Sequence, residues 1–181
     1  MPGVVSLQKQ EYYGHPQNNF WRTMGDLFGA FPSVVYERRL EILAQRNIAL
    51  FDTLKKCVRP GSADSDISEK VPHDFNSFFE AHPHVGHVFF DGGMAFDTFR
   101  RMVLPTLRHP VAALTCLPST SPRNATMNYK QKLAAWMIVK DLATSPRPRK
   151  GLTPRATRRP GVDLAFIIMY IKLVSDHYSG H

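Results

Sequence analysis

Cysteine is nearly absent from this chain. Cys57 and Cys116 are the only two in 181 residues, and neither has a near neighbour. That argues against a disulfide scaffold or a Cys-rich zinc site and makes a reducing intracellular compartment the default expectation. Long apolar runs are missing too. The longest, Leu164 to Ile171, stops at Lys172, well short of the roughly 20 residues that a membrane-spanning helix needs. The opening Met1-Pro2-Gly3-Val4-Val5 has no basic segment ahead of an apolar stretch, so it does not read as a secretory signal. The chain shows no internal repeat, and neither segment 11–21 nor segment 117–125 supplies a phosphate-cradling glycine loop or a Ser-His-acid set.

What is present suits one folded domain. Hydrophobic residues make up 43% and charged residues 21%, which is compatible with a single core and excludes wholesale disorder. The net charge of +8 makes a polyanionic partner worth considering. Six of those charges, however, come from Arg147, Arg149, Lys150, Arg155, Arg158 and Arg159 in an acid-free stretch, leaving +2 for the rest. Residues 145–161 therefore read as a basic Pro/Arg-rich linker, disordered or extended. Residues 162–181 hold a possible C-terminal helix, although the apolar residues between Asp163 and Tyr178 show little two-sidedness.

The segment ahead of residue 145 alternates helices and strands. Phe20, Trp21, Met24, Leu27 and Phe28 recur at helical spacing before Gly29; Tyr36, Leu40 and Leu43 do the same before Asn47. Ile48 to Leu54 reads as a buried strand, and Arg59 to Asp66 as a turn-rich loop. Asp74 suits the cap of a helix through Phe75, Phe78 and Phe79. A strand from Val85 to Phe90 precedes Gly92-Gly93, a helix carries Phe96, Phe99 and Val103, and a strand runs from Val111 to Leu117. Asn128 and Gln131 have capping-box spacing ahead of Leu133, Trp136, Met137 and Lys140. This order predicts an α/β fold, a three-layer α/β/α sandwich around a central, mainly parallel four-stranded sheet. Such a sheet opens on an apolar strand, yet none precedes Pro2-Gly3. The first strand is apparently missing, so the domain is either permuted or begins one strand late.

Ligands of parallel sheets bind beyond the carboxyl ends of the strands, which draws attention to two loops. Glu11 to Trp21 places an aromatic, a histidine and an amide at the mouth of a helix, where free N–H groups favour a phosphate or a developing anion. Leu117-Pro118-Ser119-Thr120-Ser121-Pro122-Arg123-Asn124 offers small hydroxyls between two prolines, then a cation and an amide. Each has a plainer reading: Asn18 as a helix cap, Tyr13 as a core or surface aromatic, His15 bonded to a loop carbonyl, Asp91 bonded to nearby backbone N–H groups, and Ser119 to Ser121 as a simple turn. His82, His84 and His87 straddle a helix-to-strand connection, so no metal site is expected there.

Pro2-Gly3 with Ser6-Leu7, then Tyr12-Tyr13-Gly14-His15-Pro16-Gln17-Asn18-Asn19-Phe20-Trp21, resembles the opening of the DNA-deoxyinosine (hypoxanthine-DNA) glycosylases of the uracil-DNA glycosylase superfamily. The likeness continues through Ile48 to Asp52, Gly61-Ser62 with Asp64-Ser65, Val88-Phe89-Phe90 with Gly92-Gly93, Leu117 to Pro122 and Lys132 to Trp136. Several short motifs agreeing in order are far more specific than one. The resemblance implies a glycosylase-like domain over residues 1–144. It also implies a monofunctional base-excision enzyme without metal or cofactor, taking deoxyinosine first and uracil second from double-stranded DNA. Such an enzyme is expected to be a monomer, nuclear in a eukaryote and cytoplasmic in a prokaryote. It assigns Asn18 to catalysis and Tyr13, Phe90 and Asp91 to base binding. His15, Ser119, Thr120, Ser121, Arg123 and Asn124 are assigned to DNA contact. The absent strand leaves a second reading, an inactive relative that binds DNA or folds only marginally.

Overall fold

The computed structural model describes residues 11–58, 68–108, 113–144 and 166–170. The Pro2-Gly3 turn, the Arg59-to-Asp66 loop and the basic stretch 145–161 lie outside them. The fold is mixed α/β, and most elements fall where apolar spacing puts them. Helix α1 (Phe20–Phe28) buries Phe20, Trp21, Met24 and Leu27 on one face. It ends at Gly29, whose φ of 85° lets its N–H reach Gly25 O at 2.7 Å, a turn that glycine adopts without strain. Helix α2 (Tyr36–Ala44) stops just before Asn47, which takes a φ of 58°, a conformation asparagine tolerates. Strand β1 (Ile48–Asp52) is followed by an antiparallel pair that the sequence pattern did not reveal, β2 (Leu54–Val58) with β3 (Ser68–Pro72).

Asp74 caps helix α3 (Phe75–Ala81), accepting from Ser77 N at 3.1 Å. Strand β4 (His87–Asp91) leads into α4 (Gly93–Thr98), which continues as a π turn to Val103. After β5 (Leu114–Leu117) comes α5 (Tyr129–Thr144), opened by a reciprocal capping box. Gln131 N donates to Asn128 Oδ1 at 3.0 Å and Asn128 N to Gln131 Oε1 at 2.9 Å, so each side chain satisfies the other residue's free amide.

The end of the chain departs from expectation. Phe166–Tyr170 is a strand, β6, and not part of a helix over 162–181. It lies inside the sheet, whose order is β1-β6-β4-β5 with every neighbour parallel. Ile48 pairs with Phe166 and Asp52 with Tyr170 on one side, and His87 with Phe166 and Phe90 with Met169 on the other. The reason is legible in hindsight. A continuous apolar run of eight with little two-sidedness suits a parallel strand covered on both faces better than a surface helix. The interior position between β1 and β4 is thus taken by residues 166–170, which belong to the same sheet as 48–52.

Successive residues of β4 feed opposite faces. Phe89 joins Tyr13, Phe20, Trp21, Met24, Leu43, Trp136 and Val139, the cluster built by α1, α2 and α5. Val88 and Phe90 join Phe75, Phe79, Ala95, Phe99 and Val103, the cluster built by α3 and α4. Because β6 bonds to both β1 and β4, a chain ending at Thr144 loses an interior strand. That truncation should abolish cooperative thermal unfolding by circular dichroism. A truncated chain melting as sharply as the full one, at a similar temperature, would show that β6 is dispensable.

Candidate active site

Three aromatic and basic side chains anchor the first loop, residues 11–19. Tyr12 N donates to the Tyr36 hydroxyl at 2.9 Å, and Trp21 Nε1 donates to Tyr12 O at 2.8 Å. Arg39 lies over the Trp21 ring at 4.6 Å and reaches Glu11 Oε2 at 3.4 Å. Burial and the nearby Asp52 carboxylate push the Tyr12 hydroxyl up to about 12, so it stays protonated at neutral pH. Tyr13 follows with a φ of 55°, a costly conformation for an aromatic and one that surrounding structure must enforce. Its ring stacks on Phe20 at 3.7 Å and is only 5% exposed. Asn18 closes the loop, with Oδ1 accepting from Phe20 N at 2.8 Å and its own N–H donating to His15 O at 2.9 Å. With its oxygen committed to the helix mouth, the side chain has its NH2 group as its remaining donor.

The second loop, residues 118–125, is held from beneath by α5. Trp136 Nε1 donates to Pro118 O at 3.0 Å, while Lys132 Nζ donates to Ser121 O at 3.3 Å and Asn124 O at 2.7 Å. From the side, the end of β4 grips the same loop. Asp91 Oδ1 accepts from Thr120 N and Oδ2 from Thr120 Oγ1, both at 2.7 Å, and Thr120 is fully buried. Gly92 makes this approach possible. Its φ is 95°, and a Cβ there would sit 2.9 Å from Ser119 Cβ, closer than packed carbons come.

One backbone bond joins the two loops: Asn19 N donates to Thr120 O at 3.0 Å. The amide at the mouth of α1 and the hydroxyl loop after β5 therefore share one end of the sheet, beyond the carboxyl ends of β4 and β5. Burial raises the Asp91 carboxyl above the ordinary carboxylate range, opposed by its bonds from Thr120 and then by the Tyr13 hydroxyl.

The chain is 38% identical over 93 residues to a hypoxanthine DNA glycosylase of Methanosarcina barkeri, a match covering 51% of this chain and 59% of that protein. It is 33% identical over 140 residues to a hypoxanthine DNA glycosylase of Methanosarcina acetivorans, covering 77% of this chain and 85% of that protein. The chain belongs to the hypoxanthine DNA glycosylase family. Its fold superposes with a TM-score of 0.66 on the solution structure of a candidate uracil DNA glycosylase from Methanosarcina acetivorans. That chain is 32% identical, with coverage of 80% of this chain and 86% of the other. No protein-family model matches the sequence.

Within this glycosylase-family fold, the expected site residues divide. Asn18, Ser119, Thr120, Ser121 and Asn124 gather in the two joined loops. His15 Nδ1 accepts from Gln17 N at 3.2 Å, a bond within the loop but to an N–H and not to the carbonyl of its plainer reading. Arg123 is exposed beside the loop. Phe90 is a correction: it is fully buried, edge-on to Phe96 and tilted against Phe99, on the face away from the first loop, because strand alternation turns it opposite to Phe89. Asp91 spends both oxygens on Thr120, which makes it a holder of the loop. Tyr13 is a wall braced on Phe20 and not an open platform. Lys132 and the Asn19 amide went unrecognised. Lys132 stands four residues before Trp136 on the inward face of α5, and a lysine on an apolar face was the signal available.

The Asp91 shift fixes a sign. The native chain keeps this proton to higher pH than the unfolded chain does, so ionisation costs stability as pH climbs from the ordinary carboxylate range through the raised value. In Asp91→Asn that loss disappears, while the amide oxygen still accepts from Thr120 N. Urea midpoints measured from acid to neutral pH should therefore fall less for the variant than for the parent. Parallel curves would contradict the assignment.

Proposed function

We propose that the chain is a monofunctional DNA glycosylase that excises deaminated bases from double-stranded DNA, deoxyinosine first and uracil second, acting as a monomer. The observation that carries this reading is the Asn19-to-Thr120 bond, which unites the Asn18 amide with the hydroxyl loop. The family membership supports the class of reaction. The fold is read as a three-layer α/β/α sandwich with the two loops at one rim.

The chemistry follows from charge. Extruding a base costs a few kcal/mol, least for a mispaired one. Breaking the N-glycosidic bond leaves positive charge on the sugar and negative charge on the departing base, so catalysis needs donors aimed at that base. The Asn18 NH2, oriented because its oxygen is bonded to Phe20 N–H, would donate to a carbonyl of the leaving base. The mouth of α1 adds positive potential in the same direction. Ser119 and Ser121 hydroxyls face the phosphodiester, and Arg123 and Asn124 fill the space vacated in the duplex. For a base to lie against Tyr13, whatever covers its outer face must move aside. The alternative, an inactive relative that binds DNA or folds only marginally, is separated from this reading by the assay that follows.

Labelled duplexes containing deoxyinosine or deoxyuridine test the activity, with abasic-site formation as the readout; a folded preparation that forms none refutes it. Asn18→Asp separates capping from catalysis. The acid keeps the oxygen that caps α1 and loses the NH2. Excision should fall by about 10²–10³-fold, the usual cost of removing one such donor, with the melting temperature held. Asn18→Ala should lose both. An Asn18→Asp enzyme with an undiminished rate would remove Asn18 from the mechanism.

A further inference from the structure

Lys132 is only 3% exposed, an unusual place for an ammonium. A buried cation must be matched by acceptors or it costs several kcal/mol. Its hydrogen bonds go to two backbone carbonyls, Asn124 O at 2.7 Å and Ser121 O at 3.3 Å, the latter also accepting from Asn124 N at 3.1 Å; burial pulls the ammonium below the ordinary lysine range, opposed by the Asp91 charge. The remaining carbonyls of the loop are treated alike. Pro118 O takes the Trp136 indole N–H at 3.0 Å, Ser119 O the Asn124 side-chain amide at 3.3 Å, and Thr120 O the Asn19 N–H at 3.0 Å. From residue 118 to 121, and again at 124, each carbonyl is bound by a donor of the protein itself.

The consequence is electrostatic. A carbonyl oxygen carries partial negative charge, and a loop that presented several of them would repel a phosphodiester. Drawing them inward leaves the Ser119 and Ser121 hydroxyls, whose oxygens accept from Ser121 N and Arg123 N, to donate to the anion, and hydroxyls are among the groups that bind phosphate oxygens. Lys132 is the only charged donor in this set and serves two carbonyls at once; a charge-assisted bond is about twice as strong as a neutral one. We infer that Lys132 is a positioning residue for DNA contact: from within the fold it holds the Ser121 and Asn124 carbonyls away from the bound strand, giving the loop a phosphate-accepting face. The inference rests on the glycosylase reading for the identity of the bound anion. It does not place Lys132 in contact with DNA or with the base.

The test compares Lys132→Met, which keeps the stem and loses the donors, with Lys132→Gln, which keeps one neutral amide, and Lys132→Arg, which keeps charge and donors. Binding of an unmodified fluorescent duplex is read by anisotropy, and excision of deoxyinosine by single-turnover rate and KM. Dissociation constant and KM should rise about tenfold in Lys132→Met, the factor expected from losing one charge-assisted link. The rise should be smaller in Lys132→Gln and largely absent in Lys132→Arg, while the rate at saturating enzyme changes less than twofold in all three. Should Lys132→Met not fold, Lys132→Gln against Lys132→Arg carries the same comparison. Unchanged duplex binding in the folded neutral variants overturns the inference, as does a fall in rate with KM unmoved, which marks a merely structural lysine. The activity reading fails separately, by an unmutated chain that binds duplex but releases no base. An unmutated chain that does not bind duplex at all sinks both.

Discussion

A carboxylate at the buried end of a parallel strand has to be answered by donors, and here the answer defines the site. Asp91 gives both of its oxygens to Thr120, one to the backbone N–H and one to the hydroxyl. That fixes the residue whose carbonyl then accepts the Asn19 N–H. One short chain of bonds therefore runs from the end of β4, through the hydroxyl loop, to the mouth of α1. Gly92 permits the close approach, and Trp136 with Lys132 supports it from α5. Without the Asp91 grip, the two loops would be neighbours in sequence logic only.

The position of Asp91 depends in turn on the sheet, and the sheet depends on its last strand. Strand β6 bonds to β1 on one side and β4 on the other, so the strand that carries Asp91 is anchored by residues remote from it in sequence. Parallel strands buried on both faces tolerate the loss of an interior member poorly, because two ladders of backbone bonds go with it. In this chain the site is thus assembled from the beginning, the middle and the far end of the sequence.

How much of this was legible follows the range of the interactions. The ends of α1 and α2, the Asp74 cap and the Asn128–Gln131 box are local, set by residues a few positions apart, and the sequence declares them. The two loops were readable as a pair through an ordered set of short motifs. Strand β6 was not, because an apolar run without two-sidedness looks like a poor helix until a sheet with an open position is at hand. Phe90 and Asp91 take positions that the motif does not specify, Phe90 in the core and Asp91 on Thr120. Adjacent residues on a strand serve opposite faces or ends, and the motif does not say which one turns inward. Lys132 escaped because its partners are backbone carbonyls, which leave no trace in side-chain patterns.

The account stands or falls on the two loops forming one rigid unit, and native-state hydrogen exchange of the Asn19 and Thr120 amides measures that directly. The Asn19 amide is bonded across the junction to Thr120 O and the Thr120 amide to Asp91 Oδ1 at the end of β4, so both should be protected, with opening free energies close to those of the Phe89 and Phe90 amides in β4. Exchange of either at the rate of an open surface loop, while β4 remains protected, would mean that the junction does not hold the site together.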